Sequence, residues 1–489
     1  MLTRDDVLAI YAAGPEATVA LILQLQQSMA ELQQTVATLN ARVQELEVRL
    51  AKDSHNSSKP PSSDGLAKRP KSLRPPNGQS GRDSGGQPGH PGRTLRWDTH
   101  PDHVIIHRPT VCAGCGTDLQ EAPDDAACGV TRRQVHDLPP QRLLVTEHQG
   151  LHQICPHCRK INRGTFPDAV TQPVQYGPRL QGLCVYLQQY QLLPFARTQQ
   201  LLSDLFDCPL SQGTLAAMLG RCHERLAPVE AIIRAALTAA PVAHFDETGL
   251  RQEGRLHWLH SASTRHLTYY AHHTQRGRVA LNAHALLPGY KGTAVHDAFV
   301  SYFGYTDCAH ALCNAHLLRE LIALHEAGQA WAGELATLLR EIKHSVQSAQ
   351  TAGHTQLAPA QEDAFRARYQ TLLGEGLASN PPPVASGKRG RTKQSPAKNL
   401  LDRLRRHQSE VLKFMTDFAV PFDNNLAERD LRMMKVRQKV SGGFRSSKGT
   451  SMFCRIRGYI STLRKQGCAL LPALQSLFEG DTFWPPVLA

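Results

Sequence analysis

The sequence has no apolar run long enough to cross a bilayer. Its opening, Met1-Leu-Thr-Arg-Asp-Asp, also lacks the charged-then-apolar shape of a secretory signal. Both absences point to a cytoplasmic chain. The dense cysteine framework of a secreted scaffold is missing too. Of 12 cysteines, four form two Cys-x-x-Cys pairs and the rest are scattered, which in a reducing compartment favours metal binding over disulfides. Nor is there an acidic excess. The 55 Lys+Arg against 42 Asp+Glu give a formal net charge of +13, which suits a polyanionic partner, most simply nucleic acid. The positive charge is clustered: segment 388–406 holds eight Lys/Arg and one acid (Asp402), and segment 429–457 holds nine and one (Asp430). At 489 residues the chain is too long for one ordinary domain.

Residues 16–51 carry a coiled-coil pattern. Ile22, Met29, Val36, Val43 and Leu50 recur at heptad spacing, as do Leu25, Leu32, Leu39 and Leu46, offset from the first set. β-Branched residues at three of five a positions, with Leu at every d, favour a parallel two-stranded coil; packing on the protein's own core is the alternative. Residues 54–92 hold 22 Pro, Gly or Ser and six Lys or Arg among 39 positions, and predict a flexible basic linker. The module 100–170 contains Cys112-Ala-Gly-Cys115 and Cys155-Pro-His-Cys158, with strand-like residues from Gln141 to His148 between them. Two such pairs suit one structural four-thiolate zinc site, as in a zinc ribbon, with no position open for catalysis. Cys128, His148 and His152 read as bystanders. Residues 177–237 read as helical. Arg197–Phe206 and Ser211–His223, with Ser211 as N-cap, form either a helix-turn-helix or an ordinary helical hairpin.

From position 241 the pattern changes. Pro241–Phe245 reads as a short strand delivering Asp246, followed by strands at Leu256–Ser261 and Leu267–His272 and a helix at Arg278–Leu287. Gly292–His296 is a strand delivering Asp297, Ala309–Cys313 a fifth strand, and Asn314–His325 a helix. This element order predicts a ribonuclease-H-like core over 241–325, in which the first and fourth strands are neighbours. Residues 326–420 read as mostly helical, with a basic loop. The core's last helix spans 421–445 and carries Glu428, with Asp423 suited to its start. Two aspartates and a glutamate offer hard oxygen ligands to two Mg²⁺ or Mn²⁺ ions. Glu247, Asp423 and Asp430 leave open which carboxylates bind. Cys313 and His316 could be half a zinc site, but no second half lies nearby and the segment reads as strand into helix, which favours a supporting role over metal binding; His296 reads as packing on the opposite strand face. Arg429, Arg432 and Lys435 follow Glu428 along a basic helix suited to phosphate.

Together these features resemble the large transposase of the insertion-sequence 66 family over nearly the whole chain. The resemblance runs through the zipper, Asn56-Ser-Ser-Lys-Pro-Pro-Ser-Ser-Asp64 and the cysteine pairs. It continues in His244-Phe-Asp-Glu-Thr248, Val295-His-Asp297, Cys313-Asn-Ala-His-Leu-Leu-Arg-Glu320, Asp423-Asn-Asn-Leu-Ala-Glu-Arg429 and a C-terminal module at 450–480. The resemblance implies a DDE transposase whose metal-binding positions are Asp246, Asp297 and Glu428. It also implies a loop bearing Lys388, Arg389 and Arg391 against flanking DNA, while the joining of two ends makes a dimer or larger synaptic assembly physically sensible; whether helper proteins of the same element take part is left open. The expected fold is thus multidomain α/β: a ribonuclease-H-like core with a helical insertion, preceded by a coiled coil and a zinc-ribbon-like module. The rival readings are a non-catalytic DNA-binding regulator using the coil, zinc and basic segments, and a nuclease that cuts without strand transfer.

Overall fold

A computed structural model describes residues 3–51, 95–120, 129–139, 141–382 and 394–487. The linker 54–92, Cys128 and the loop residues Lys388, Arg389 and Arg391 lie outside the described residues. The chain divides into two units: Met1–Pro70, Gly150–Gln199 and Leu210–Ala489 form one, and Lys71–Gln149 with Gln200–Pro209 form the other. Among the described residues no helix is long and apolar enough to cross a membrane.

Helix α1 (Arg4–Ala12) is closed by a Thr3–Asp6 capping box. Gly14, at φ +111°, separates it from the long α2 (Pro15–Ala51). The heptad residues Ile22, Leu25, Met29, Leu32, Val36, Leu39 and Val43 are each at least half exposed, so no described part of the chain covers that stripe.

Each cysteine pair sits in its own tight turn. In the smaller unit, Cys112 N donates to Thr117 O at 2.9 Å and Gly116 N to Cys112 O at 2.9 Å, beside a Val111–Asp118 bridge. In the larger unit, β1 (His152–Ile154) and β2 (Ile161–Arg163) pair antiparallel, and the turn between them holds Cys155 and Cys158. Gln141–His148 is not a strand, contrary to expectation. Leu144 and Val145 stay exposed there, and without a packed face or a pairing neighbour the alternation forms no ladder.

Helices α3 (Pro178–Val185), α4 (Phe195–Phe206), α5 (Gln212–Arg225) and α6 (Ala227–Thr238) lead into the sheet, and Ser211 caps α5 by accepting from Thr214 N at 3.0 Å. The sheet's strands are β3 (Val242–Gln252), β4 (Arg255–Ser263), β5 (Thr268–His273), β6 (Thr293–His296) and β7 (Ala309–Leu312). Their spatial order is β5-β4-β3-β6-β7. The first three run antiparallel as hairpins, while β3 pairs parallel with β6 and β6 with β7. The β3–β4 turn needs positive φ at both central residues, and Glu253 (52°) and Gly254 (75°) supply it. Strand β3 is longer than expected. It runs through Asp246 instead of ending there, because β4 pairs with it as far as Gln252.

One face of the sheet carries Ala243, Phe245, Ala262 and Ala294, buried with α6 residues Val229, Ile233 and Leu237. The short α7 (Arg278–His284) packs toward this core through Leu281 and stops earlier than expected, at a left-handed Ala285. On the other face, Leu250 and Leu259 pack against Leu431 and Met434 of α14 (Asn425–Ser441). Val295 joins a core with α8 (Asn314–Glu326) and the insertion helices α9 (Ala330–Thr351), α10 (Pro359–Ser379) and α11 (Pro396–Arg406). The insertion therefore shares its core with the sheet. The short α12 (Gln408–Val411) and α13 (Lys413–Thr416) return the chain to α14, and α15 (Ser447–Lys465) and α16 (Leu470–Glu479) complete the fold.

Candidate active site

Strand alternation decides which carboxylates meet. The parallel β3–β6 register pairs Val242 with Thr293 and His244 with Val295. Extended two places past its last pair, that register would set Asp246 level with Asp297, and the charge of Asp297 does act on Asp246. Side chains at even positions of β3 share the face on which α14 packs, and Glu247 points to the opposite face. Asp246 feels this crowding: burial first, then the charges of Glu247, Asp297 and Glu428, hold its carboxyl well above the ordinary range. Asp297 is fixed by its own turn, accepting from Phe299 N at 3.1 Å, and Ala298 adopts a left-handed φ of 69° just after it.

Glu428 enters from α14, and the start of that helix is tied to the sheet. The N-cap is Asn424, not Asp423 as expected, and it makes no side-chain cap bond. Its side chain, 1 % exposed, instead bridges to β3. Asn424 Oδ1 meets His244 Nδ1 at 2.8 Å, and its amide donates to Phe245 O at 2.9 Å. Burial lowers the His244 pKa, and because the Asn424 amide oxygen can only accept, His244 Nδ1–H is the donor. Asn424 N donates to Cys313 Sγ at 3.1 Å, and Asn314 N donates to Phe422 O at 3.1 Å. Asp423 only accepts from Asn425 N at 3.1 Å. Three of these bonds clamp Asn424 between β3 and the start of α8, four residues before Glu428.

The other acids are occupied elsewhere. Glu247, with a side chain 1 % exposed, accepts from Arg276 Nε (2.8 Å) and Nη2 (2.7 Å) and from Tyr302 Oη (2.5 Å). Burial and then Asp297 raise its pKa, against the pull of Tyr302 and Arg276. Arg276 stacks over Phe299 at 4.0 Å, so this cluster also steadies the loop after Asp297. Asp430 pairs with Lys465 at 2.7 Å. His296 is fully buried on the face opposite Asp297, stacked on Tyr302 and 3.0 Å from His310 Nδ1. The Glu247–Arg276–Tyr302 cluster escaped sequence reading because its members come from three separate segments with no shared motif.

Cys313 and His316 lie beside Glu428. His316 Nδ1 is 3.6 Å from Glu428 Oε1, and Arg319 Nη2 is 3.8 Å from Oε2. Arg429 and Arg432 are exposed along α14, whereas Lys435 donates to Gly249 O at 3.0 Å. In the smaller unit, the Thr117 hydroxyl beside Cys115 lowers that thiol to about 7. In the larger unit, backbone N–H groups of Cys158 and His157 lower Cys155.

Residues 173–452 match the family described as Transposase IS66 family, and residues 12–96 match a family of unknown function (DUF6444). No curated protein matches the chain.

Proposed function

The chain belongs to the IS66 family of transposases, whose substrate is DNA, and from that premise we propose that it is a DDE enzyme that cuts and joins DNA at Asp246, Asp297 and Glu428. The strand order β5-β4-β3-β6-β7 supports a ribonuclease-H-like core, because that order sets the carboxylate-bearing strands side by side. The observation that supports the reading most is the β3–β6 register, which, extended two places past its last pair, would set Asp246 level with Asp297 on the face where α14 packs.

The donor set fits hard divalent cations. Burial, and after it the charges of Glu247, Asp297 and Glu428, raise the Asp246 pKa, which supports a site where these carboxylates act on one another and a divalent cation would be welcome. When bound, two Mg²⁺ or Mn²⁺ ions would activate the attacking oxygen and stabilise the leaving one in an in-line displacement. The residues around them have separate duties. Asn424 holds Glu428 toward the sheet, Glu247 holds Arg276 and Tyr302 behind the Asp297 turn, and Arg429 and Arg432 present charge to phosphate. Water would act as nucleophile at the element's terminal repeats, and the freed 3′-hydroxyl at target DNA. The same geometry serves both attacks.

Cys112, Cys115, Cys155 and Cys158 are assigned to structural zinc, each pair sitting in a turn whose polar groups favour thiolate. The bare heptad stripe of α2 supports pairing with a second copy, which suits an event that joins two DNA ends. Terminal-repeat recognition is assigned to the cysteine module and the helices before the sheet.

The test is Asp297→Asn, assayed for Mg²⁺-dependent cleavage of DNA carrying the element's ends. Loss of cleavage with DNA binding retained supports the enzyme; unchanged cleavage rejects the assignment. Supplying pre-cleaved ends and looking for joined products separates a transposase from a simple nuclease.

A further inference from the structure

Cys313 is the N-cap of α8, and His316 lies in that helix's first turn. Glu428 lies in the first turn of α14. Their Sγ, ring nitrogen and carboxylate oxygen all lie within 4.8 Å of one another. Tetrahedral zinc with bonds of about 2.0–2.3 Å sets its ligands roughly 3.5 Å apart, and His316 Nδ1 already stands 3.6 Å from Glu428 Oε1. Both of those atoms are buried and have no hydrogen-bond partner. Asn424 N points at Cys313 Sγ from 3.1 Å, the kind of N–H···S contact that stabilises a metal-bound thiolate. Arg319 lies against the other carboxylate oxygen, Oε2, leaving Oε1 to this cluster.

The donors sort by hardness. The all-oxygen trio of Asp246, Asp297 and Glu428 suits Mg²⁺, whereas a thiolate, an imidazole and one carboxylate suit Zn²⁺. Only Glu428 is common to both sets. We propose that Cys313, His316 and Glu428 form a Zn²⁺ site whose filling withdraws Glu428 from the magnesium set, so that Zn²⁺ inhibits the enzyme in competition with Mg²⁺. Binding displaces one proton from the Cys313 thiol to solvent and involves no redox change. The inhibition rests on the catalytic reading above; the binding does not.

The experiment measures bound zinc per full-length chain after equilibrium dialysis at pH 8. Wild type, Cys313→Ala, His316→Ala and, as a control, Asp246→Asn are compared. The two site variants should each hold one zinc fewer than wild type, and the control the same number. In the Co²⁺-loaded proteins, the wild-type-minus-His316→Ala difference spectrum should carry thiolate charge-transfer and tetrahedral visible bands. Equal stoichiometry in properly melting variants, or a blank difference spectrum, overturns the proposal. Should both variants fail to fold, wild type alone decides: alkylation of Cys313, mapped by peptide mass, must slow at least tenfold with zinc, and an unchanged rate overturns it. In cleavage assays, zinc inhibition of wild type should be relieved by Mg²⁺ and be absent from His316→Ala. If zinc binds as stated but wild type never cleaves, the catalytic reading fails and this site stands.

Discussion

Replacing Asn424 with Ala tests how Glu428 is brought to the sheet. The Asn424 side chain makes two bonds to β3, to His244 Nδ1 at 2.8 Å and Phe245 O at 2.9 Å, and all three residues are buried. Each bond contributes about 1 kcal/mol net, and each partner left buried without one costs about 1–3 kcal/mol. Some relaxation and water entry will soften the sum, so we expect a loss of about 2–4 kcal/mol. Neighbouring Asn425 is exposed, and Asn425→Ala should change stability by less than about 0.5 kcal/mol. Urea unfolding followed by tryptophan fluorescence would compare the two variants in one protein. Cleavage should also fall in Asn424→Ala at temperatures where it remains folded, because the helix bearing Glu428 has lost its tether. If Asn424→Ala unfolds together with Asn425→Ala, or cleaves at the wild-type rate, the clamp is not what positions Glu428.

Other outcomes follow from the same geometry. Glu247→Gln should retain cleavage, whereas Asp246→Asn should lose it at least ~100-fold, exceeding the usual cost of removing an outer partner; the reverse order would exchange their roles. Asp246 binds its proton more tightly folded than unfolded, so its contribution to stability is full below the ordinary carboxylate pKa of about 4 and is lost as pH rises through the raised folded value. Melting curves in chelator from pH 4 to 8 should therefore fall more steeply for wild type than for Asp246→Asn, and Mg²⁺ should raise the melting temperature of wild type alone. At Gly292, a Cβ would meet Ala240 O at 2.4 Å, Tyr290 Oη at 2.5 Å and Pro241 O at 2.6 Å. Gly292→Ala should cost about 3 kcal/mol by thermal denaturation, the upper end for overpacking.

Much of this architecture was legible because it is local. Heptad spacing marked α2, Ser211 marked the start of α5, and apolar runs marked the strands in order. The extent of β3 was not legible: Glu247, Thr248 and Gly249 carry no apolar signal, and they are held extended by pairing with His260, Leu259 and Trp258. Asn424 carries no signal of its own in the sequence, where Asp423 is the residue suited to the helix start, and its role is visible only once His244 and Phe245 stand beside it. Cys313 and His316 read as supporting groups because no second half of a metal site lies near them in the sequence. The third ligand candidate lies beyond the whole helical insertion, and folding alone brings it near.

The most direct measurement is an anomalous difference map of the protein crystallised with Mn²⁺ and cleaved DNA ends. The account predicts manganese bound between Asp246, Asp297 and Glu428, with Glu247 still held by Arg276 and Tyr302. Manganese coordinated by Glu247 instead, or a Glu428 that touches no ion beside the two aspartates, would contradict it.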